Sequence, residues 1–231
     1  IDFLGIRYLT MVSSIVEEIR KENPAFDITK INYQDPKVYE LFAKGKTEGI
    51  FQFESSGMKE KLNLLKPTEF NDIVAMNALY RPGPMAQIEV YVRRKNKEEQ
   101  VIYPHPHLEK ILKDTYGVIV YQEQIMLIAV NFAHMSLNEA DNMRRAVSKK
   151  KKEDLEYYGR IFVEKSVAAG YDIKVAGNLF DLIVTFANYG FNKSHAVVYS
   201  MLAYRLAYLK VYYTKHFMTA LLNNVISSEK K

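Results

Sequence analysis

The chain has 231 residues, enough for one large domain or two small ones, and 48% of them are hydrophobic, enough for a substantial core. The absence of cysteine excludes disulfides and thiolate chemistry and suits a cytoplasmic protein, and no apolar run reaches the ~18 residues that a membrane-spanning helix needs. A net charge of +5 mildly favours nucleic acid or another anionic partner. The chain begins without Met in the apolar segment Ile1-Asp2-Phe3-Leu4, and we expect it to be a fragment of a longer protein.

Helix signals dominate the first half of the chain. Three helices are predicted there, at 6–20, 36–44 and 66–80, together with two short strands at 1–4 and 49–53. The second helix starts at Asp35 and Pro36, which are typical of an N-cap followed by proline at the first helical position. The segment Arg81-Pro82-Gly83-Pro84 predicts a rigid turn, because proline disrupts a helix. Between 85 and 107 the pattern is mixed.

The second half is predicted to be mostly helical too. A helical turn is predicted at 108–112, followed by helices at 122–134, 136–148, 154–169, 173–187, 196–212 and 215–225. Ser136 and Glu139 have the spacing of a capping box, which marks the start of one of these helices. The β-branched content of the segment 116–121 predicts a short strand. The sequence therefore predicts a mainly α fold with a few short β-strands.

The segment Arg144-Arg145-Ala146-Val147-Ser148-Lys149-Lys150-Lys151-Lys152 is strongly basic, with six basic and no acidic residues among nine. On a single helix, Arg145, Lys149 and Lys152 would share one face. A bound phosphate would relieve the repulsion within such a face, since arginine offers a two-pronged fork and lysine a point charge. The alternative is a solvated basic face near a helix C-terminus, where the helix dipole favours cations.

The segment Tyr189-Gly190-Phe191-Asn192-Lys193-Ser194-His195 combines two aromatic residues with four consecutive polar ones at a predicted turn before a helix. Polar groups at a helix N-terminus favour an anion such as phosphate, and the aromatic side chains are suited to hold a flat ring. The alternative is structural: Asn192 or Ser194 caps the following helix, and Gly190 supplies a positive φ angle.

Two further features concern metal ions. Asp2 lies at the end of the predicted first strand, where a carboxylate is a candidate ligand of a divalent metal, although a lone aspartate is more often a cap or a hydrogen-bond acceptor. His105 and His107 alternate, but a zinc site needs more ligands than the sequence supplies nearby. We interpret these histidines as exposed residues of a structural loop.

Six segments, taken in order along the chain, carry a resemblance to a known family. They are Ile1-Asp2-Phe3-Leu4-Gly5, Gly49-Ile50-Phe51-Gln52-Phe53-Glu54-Ser55, Leu79-Tyr80-Arg81-Pro82-Gly83-Pro84, Tyr116-Gly117-Val118-Ile119-Val120-Tyr121-Gln122-Glu123-Gln124, the basic segment 144–151, and Gly190-Phe191-Asn192-Lys193-Ser194-His195-Ala196. In this order and spacing they resemble the alpha subunits of bacterial replicative DNA polymerase III, the C family of DNA polymerases. The resemblance covers nearly the whole chain. The Lys, Asn and Ile usage suggests a low-GC Gram-positive source.

The resemblance implies that residues 1–5 are the last strand of a palm domain and that residues 6–231 form a helical fingers domain. Asp2 would then be the third of three palm aspartates that bind two Mg²⁺ ions and would count as catalytic. The other two form an Asp-x-Asp pair in this family, and no such pair occurs in these 231 residues. We therefore expect the fragment alone to lack polymerase activity.

The resemblance also implies that the fingers bind the incoming deoxynucleoside triphosphate. The residues expected to face the triphosphate or border its pocket are Arg144, Arg145, Lys149, Tyr189, Asn192, Lys193, Ser194 and His195. Ser148 stands where the family usually has glycine, which puts the end of the basic helix in doubt. Implied partners are primer-template DNA, the remaining palm and thumb of the same subunit, and the sliding clamp through regions outside this chain.

Two alternatives stay open from the sequence. One is a non-catalytic helical module that binds nucleic acid through backbone charge, with affinity that falls steeply with salt. The other is a structural fragment whose basic face contacts another subunit.

Overall fold

A computed structural model describes residues 7–149, 151–187 and 190–229 of the chain, without the side chains of residues 187 and 225–229. These residues form helices joined by short turns, and the prediction of a mainly α fold is confirmed. The helices are α1 (Arg7–Glu22), α2 (Pro36–Ala43), α3 (Ser56–Leu65), α4 (Phe70–Leu79), α5 (Gln87–Lys95), α6 (Glu109–Leu112), α7 (Gln122–Ala133), α8 (Leu137–Lys149), α9 (Lys152–Ala168), α10 (Ile173–Ala187), α11 (Lys193–Tyr212) and α12 (Thr214–Glu229). Short 3₁₀ turns lie at Ile28–Lys30, Pro84–Ala86, Pro106–Leu108 and Lys113–Thr115.

Several helices begin where the sequence carries a capping residue. The Asp35 carboxylate accepts a hydrogen bond from the Lys37 N–H at 2.9 Å, just ahead of α2. Before α8, the Glu139 N–H donates to the Ser136 hydroxyl at 3.2 Å, and the Ser136 N–H donates to the Glu139 carboxylate at 2.7 Å. This reciprocal pair is the capping box that the sequence predicts, and it satisfies two amides that the helix itself leaves unpaired.

The chain divides into two compact units, of which the first comprises the described residues up to Asn77 and from Val197 onward. In this unit α1 packs against α12. The buried face of α1 consists of apolar residues at helical spacing: Met11, Val12, Ile15, Val16 and Ile19. Tyr204 of α11 is fully buried, stacks on Tyr33 with ring centroids 4.8 Å apart, and donates its hydroxyl to the Asn32 carbonyl at 2.9 Å.

The second unit is built from residues between Ala78 and Ala196, and its core lies among α7, α8, α9 and α10. Fully buried side chains of this core include Ile125, Ile128, Phe132, Met143, Val147, Phe162 and Ile183. The histidine pair lies at its edge, and the prediction that both histidines are exposed is wrong for His105. His105 is half-buried against the Phe132 ring, at 5.2 Å between centroids, whereas His107 is exposed and its Nδ1 lies 2.7 Å from the Tyr171 hydroxyl.

The predicted short strands are wrong wherever the structure describes them, because residues 7–149, 151–187 and 190–229 contain no β-strand. The segment 49–53 is a turn in which Gly49 and Gln52 have positive φ angles of 75° and 69°. In the segment 116–121, Tyr116 and Gly117 also have positive φ angles, outside the β region, and the residues that follow them form only an isolated bridge, between Tyr121 and Phe191. The predicted strand at 1–4 lies outside the described residues.

The basic segment does not form one continuous helical face. Helix α8 ends at Lys149, Lys151 has the extended backbone of an N-cap, and α9 begins at Lys152. The prediction that Lys152 shares a face with Arg145 is therefore wrong. The chain can turn here because cations stabilise the end of α8, while Glu153 and Asp154 in the first turn stabilise the start of α9.

Two helices lack a counterpart in the sequence prediction, α3 and α5. Helix α3 begins after Ser55, whose hydroxyl accepts a hydrogen bond from the Met58 N–H at 3.3 Å. Helix α11 starts at Lys193, three residues before the predicted start at 196. Among the described helices, none combines the length and apolar character needed to cross a membrane.

Candidate functional site

The two adjacent arginines of α8 share one carboxylate but differ in exposure. Arg144 donates from Nε and Nη2 to Asp141 Oδ1 at 3.0 and 2.7 Å, and Arg145 Nη2 lies 2.6 Å from Asp141 Oδ2. The side chain of Arg144 is 20% exposed, whereas that of Arg145 is 63% exposed. The hydrogen bond from Arg144, with a further contribution from Arg145, holds the pKa of Asp141 below its usual range. Asp141 therefore stays ionised at neutral pH and holds both guanidinium groups.

Arg144 also joins α8 to α7. Its Nη1 donates to the side-chain oxygen of Gln122 at 3.0 Å. The backbone N–H of Gln122 donates to the Phe191 carbonyl at 3.0 Å, and the Phe191 N–H donates to the Val120 carbonyl at 3.1 Å. Gln122 thus contacts Arg144 through its side chain and the segment before α11 through its backbone, and it brings the two predicted halves of the site into one cluster.

The start of α11 is capped by two acceptors. The Asn192 side-chain oxygen accepts from the His195 N–H at 2.8 Å, so Asn192 is the N-cap that the structural alternative envisaged. The Glu123 carboxylate accepts from the Lys193 N–H, with its two oxygens at 3.1 and 3.0 Å. A carboxylate is stabilised at this position because the N-terminal end of a helix carries partial positive charge.

Cationic and imidazole side chains near this turn contact aromatic rings. The Lys193 ammonium lies 5.3 Å from the centre of the Tyr121 ring, and the guanidinium of Arg81 lies 4.2 Å from the centre of the Phe191 ring. The His195 ring meets Phe191 edge to face at 5.2 Å. The cluster therefore combines cations with aromatic faces, a combination suited to an anion attached to a flat ring.

The comparison with known proteins decides the family. The bacterial DNA polymerase III alpha subunit finger domain family matches residues 8–170. The chain belongs to this family. It is 54% identical over 231 residues to the DNA polymerase III subunit alpha of Bacillus subtilis strain 168, and 50% identical over 232 residues to the proteins of that name from Staphylococcus aureus strain COL and Staphylococcus epidermidis strain RP62A.

Each of these matches includes all of the present chain but only 21% or 22% of the relative. This member of the finger-domain family therefore spans about a fifth of the length of those alpha subunits. The resemblance drawn from the six sequence segments is confirmed.

The finger-domain structure brings together some of the residues that the sequence singled out. Arg144, Asn192, Lys193 and His195 lie in one connected cluster. Arg145 and Ser194 are exposed, and Lys149 is the exposed last residue of α8. The predicted site residues Asp2 and Tyr189 lie outside the described residues.

Several members of the cluster were not predicted as site residues. They are Arg81, Tyr121, Gln122, Glu123 and Asp141. Arg81 and the run 121–123 do fall within two of the segments that carry the family resemblance, so those segments already held a signal. The sequence signal for Asp141 is simpler. Asp141 lies three and four residues before the two arginines, the spacing at which helical side chains form ion pairs.

No group of three or more His, Asp or Glu side chains in the described part of the chain is arranged to hold a metal ion. The described residues thus do not fit a metal site of their own, and the predicted ligand Asp2 is not among them.

Proposed function

We propose that this chain is the fingers region of a bacterial replicative DNA-directed DNA polymerase and binds the incoming deoxynucleoside triphosphate. Family membership supports the first part of the proposal. The observation that carries the second part is the link through Gln122, which unites the arginines of α8 with the start of α11. Primer-template DNA, the palm and thumb of the same subunit, and the sliding clamp are the partners that this proposal entails.

The exposure of each cation defines its role in the proposal. Arg145, Lys149 and Lys193 bind phosphate oxygens, because their side chains are exposed and carry positive charge. Arg144 holds α8 in place, because its guanidinium already donates to Asp141 and Gln122. During nucleotidyl transfer, fixed cations of this kind neutralise the charge that develops on the leaving pyrophosphate.

The remaining predicted pocket residues shape the turn. Asn192 keeps its role as the cap of α11 and so fixes the direction of the first-turn amides. Ser194 and His195, both exposed in that turn, face the nucleotide in the proposal, and Tyr189 supplies a further aromatic ring to it. The residue range 6–231 as one fingers domain remains part of the same proposal.

The proposed metal ligands are not among the described residues. We propose that Asp2 and an Asp-x-Asp pair elsewhere in the subunit bind two Mg²⁺ ions, which supply charge stabilisation of the attacking and leaving oxygens. No Asp-x-Asp pair occurs among the 231 residues, and we therefore expect the chain alone to extend no primer. Primer extension by the purified chain would contradict this part of the proposal.

A second candidate function is supported by the lysines between α8 and α9. Lys149, Lys151 and Lys152 are exposed, as in a module that binds the nucleic-acid backbone without contacting a nucleotide. Such a module would bind duplex DNA with an affinity that falls steeply with salt, because binding releases counterions.

Amide chemical shifts separate the two functions. Titrating the chain with dATP and Mg²⁺ is expected to shift amides at 144–152 and 190–196, and Arg145→Ala should weaken this binding by roughly tenfold. Arg93→Ala is the matched control, because Arg93 lies on α5 and pairs with Glu99, outside the cluster. Uniform weak shifts that duplex DNA reproduces, with equal effects of both substitutions, would favour the backbone-binding module.

A further inference from the structure

The side chain of Gln122 connects the basic helix to the segment that precedes α11. Its oxygen accepts from Arg144 Nη1 at 3.0 Å, while its own backbone N–H donates to the Phe191 carbonyl at 3.0 Å. Gly190 packs directly on it, since a Cβ on Gly190 would lie 3.2 Å from Gln122 Cγ. A side chain at position 190 would therefore require Gln122 to shift by a few tenths of an ångström.

The hydrogen bonds from Arg144 to Asp141 do not connect α8 to another helix. Asp141, which accepts from Nε and Nη2, belongs to the same helix as Arg144 and moves with it. The bond to Gln122 comes from α7, so it fixes the Arg144 guanidinium relative to a different helix, in addition to the core packing between α7 and α8. Loss of the Gln122 acceptor would leave the two arginines bound to Asp141 but no longer held against the turn at 190–192.

The chemical type of the acceptor matters as well. Two arginines and one aspartate leave a net charge of +1 at this corner of the cluster. A neutral amide at position 122 orients Arg144 without cancelling that charge, whereas a carboxylate would cancel it. An anion-binding site needs both the orientation and the remaining positive charge.

We propose that Gln122 is a positioning residue for the triphosphate: it acts through Arg144 to hold the α8 cations against the segment 190–195. This inference rests on the proposed nucleotide site and adds to it a residue that contacts no phosphate itself. Its loss raises the KM for the nucleotide and changes kcat little, because the cations that bind phosphate keep their charge and only the arrangement that receives the nucleotide is lost.

The test uses a complete alpha subunit that contains this chain and measures KM and kcat for a deoxynucleoside triphosphate in primer extension. Gln122→Met, which keeps the side-chain length and removes the acceptor, is expected to raise KM about tenfold, the size typical of losing one hydrogen bond to a charged group, with kcat within about twofold. Gln100→Met, at an exposed position between α5 and α6, is the control and should leave KM unchanged.

A double-mutant cycle distinguishes positioning from general damage. In an Arg144→Ala background, Gln122→Met should raise KM no further, because the partner through which it acts is gone. An unchanged KM in the single variant, or effects that multiply in the double variant, would overturn the inference. If thermal melts show that Gln122→Met is unfolded, Gln122→Asn, which withdraws the acceptor by one methylene, takes its place with the same expectations.

The variant Arg145→Ala distinguishes a failure of the proposed role of Gln122 from a failure of the proposed nucleotide site. If Arg145→Ala raises KM and Gln122→Met does not, the nucleotide site stands and the role of Gln122 falls. If neither substitution changes KM, the nucleotide site itself is misplaced, and the inference falls with it.

Discussion

The guanidinium of Arg81 lies over the ring of Phe191, 4.2 Å from its centre. Its Nε also donates to the Ala78 carbonyl at 2.9 Å, and burial lowers the pKa of Arg81. The turn after α4 and the segment before α11 therefore contact each other through a flat cation on a flat ring, the geometry in which arginine and lysine differ most.

Arg81→Lys keeps the charge but removes the guanidinium that lies over Phe191 and donates to the Ala78 carbonyl. We expect this change to lower the free energy of unfolding of the chain by about 1 kcal/mol, measured by urea denaturation. Arg93→Lys is the control, because Arg93 forms an exposed pair with Glu99 and such pairs contribute little. Equal losses in both variants would show that the stacking on Phe191 does not stabilise the turn.

Gln124 is buried at the start of α7 and makes hydrogen bonds in both directions. Its oxygen accepts from the N–H groups of Val120 and Tyr121 at 2.8 and 3.0 Å, and its nitrogen donates to the Thr115 hydroxyl at 2.8 Å. Gln124→Leu removes these three buried hydrogen bonds and should cost about 2–4 kcal/mol in the free energy of unfolding. Asn131→Leu, on the exposed side of the same helix, should cost less than about 1 kcal/mol.

Hydrogen exchange locates the effect of Gln124→Leu. The amides of Val120 and Tyr121 should lose protection first, since they donate to the deleted side chain. Unchanged protection of these two amides would show that another group satisfies them.

Glu123→Gln should weaken the cap of α11. The carboxylate accepts from the Lys193 N–H, and loss of its charge removes a favourable interaction with the helix dipole, worth about 0.5–1 kcal/mol. The amide of Lys193 is expected to exchange faster with solvent. Glu153→Gln, in the first turn of α9, is the matched control and should leave the Lys193 amide unaffected.

Glu139, in the capping box of α8, should make the folded chain less stable at acid pH. The hydrogen bond from Lys165, and those with Ser136, lower the pKa of Glu139 from 4.5 to about 2. Because this pKa is lower in the folded chain than in the unfolded one, the stabilisation is complete above pH 4.5 and is lost as the pH falls toward 2. Urea midpoints should therefore decline below pH 4.5, and Glu139→Gln should make that decline less steep. An equally steep decline of the urea midpoint in the variant would show that Glu139 does not cause this pH dependence.

Two glycines of the second unit should respond to alanine in opposite directions. Gly117 has a φ of +80°, and a Cβ there would lie 2.5 Å from the Ile102 carbonyl oxygen, so Gly117→Ala should cost more than about 1 kcal/mol. Gly177 lies inside α10 with nothing within 4 Å of its would-be Cβ, so Gly177→Ala should stabilise the chain by about 0.5–1 kcal/mol. Thermal melts of both variants check the two signs.

Local signals in the sequence predict many helix starts because capping is a short-range interaction. Asp35 and the Ser136–Glu139 pair place the starts of α2 and α8 within a residue, and the apolar pattern gives the range of α10 without error. The same reasoning fails for the segment 116–121. Its β-branched residues are buried, with Ile119 in the core that α7 to α10 share, and Tyr121 forms an isolated bridge with Phe191.

The candidate site shows a similar division. Its cations are visible as a basic run, and its turn is visible as a polar segment after glycine. The connection between the cations and the turn is not visible in the sequence. It depends on the hydrogen bond between Gln122 and Arg144, which are 22 residues apart in the chain. Periodicity also could not reveal that α8 ends inside the lysine run, since lysines are compatible with both a helix end and a helix interior.

The hydrogen bond between Glu123 and the Lys193 amide joins residues that lie 70 positions apart. Closing so long a loop costs entropy before any contact compensates for it, and contacts of this separation slow folding. The turn at 190–195 is therefore expected to reach its final geometry only after α7 to α10 have packed. During synthesis on the ribosome, a nascent chain would carry all the cations of α8 well before it acquired the site that uses them.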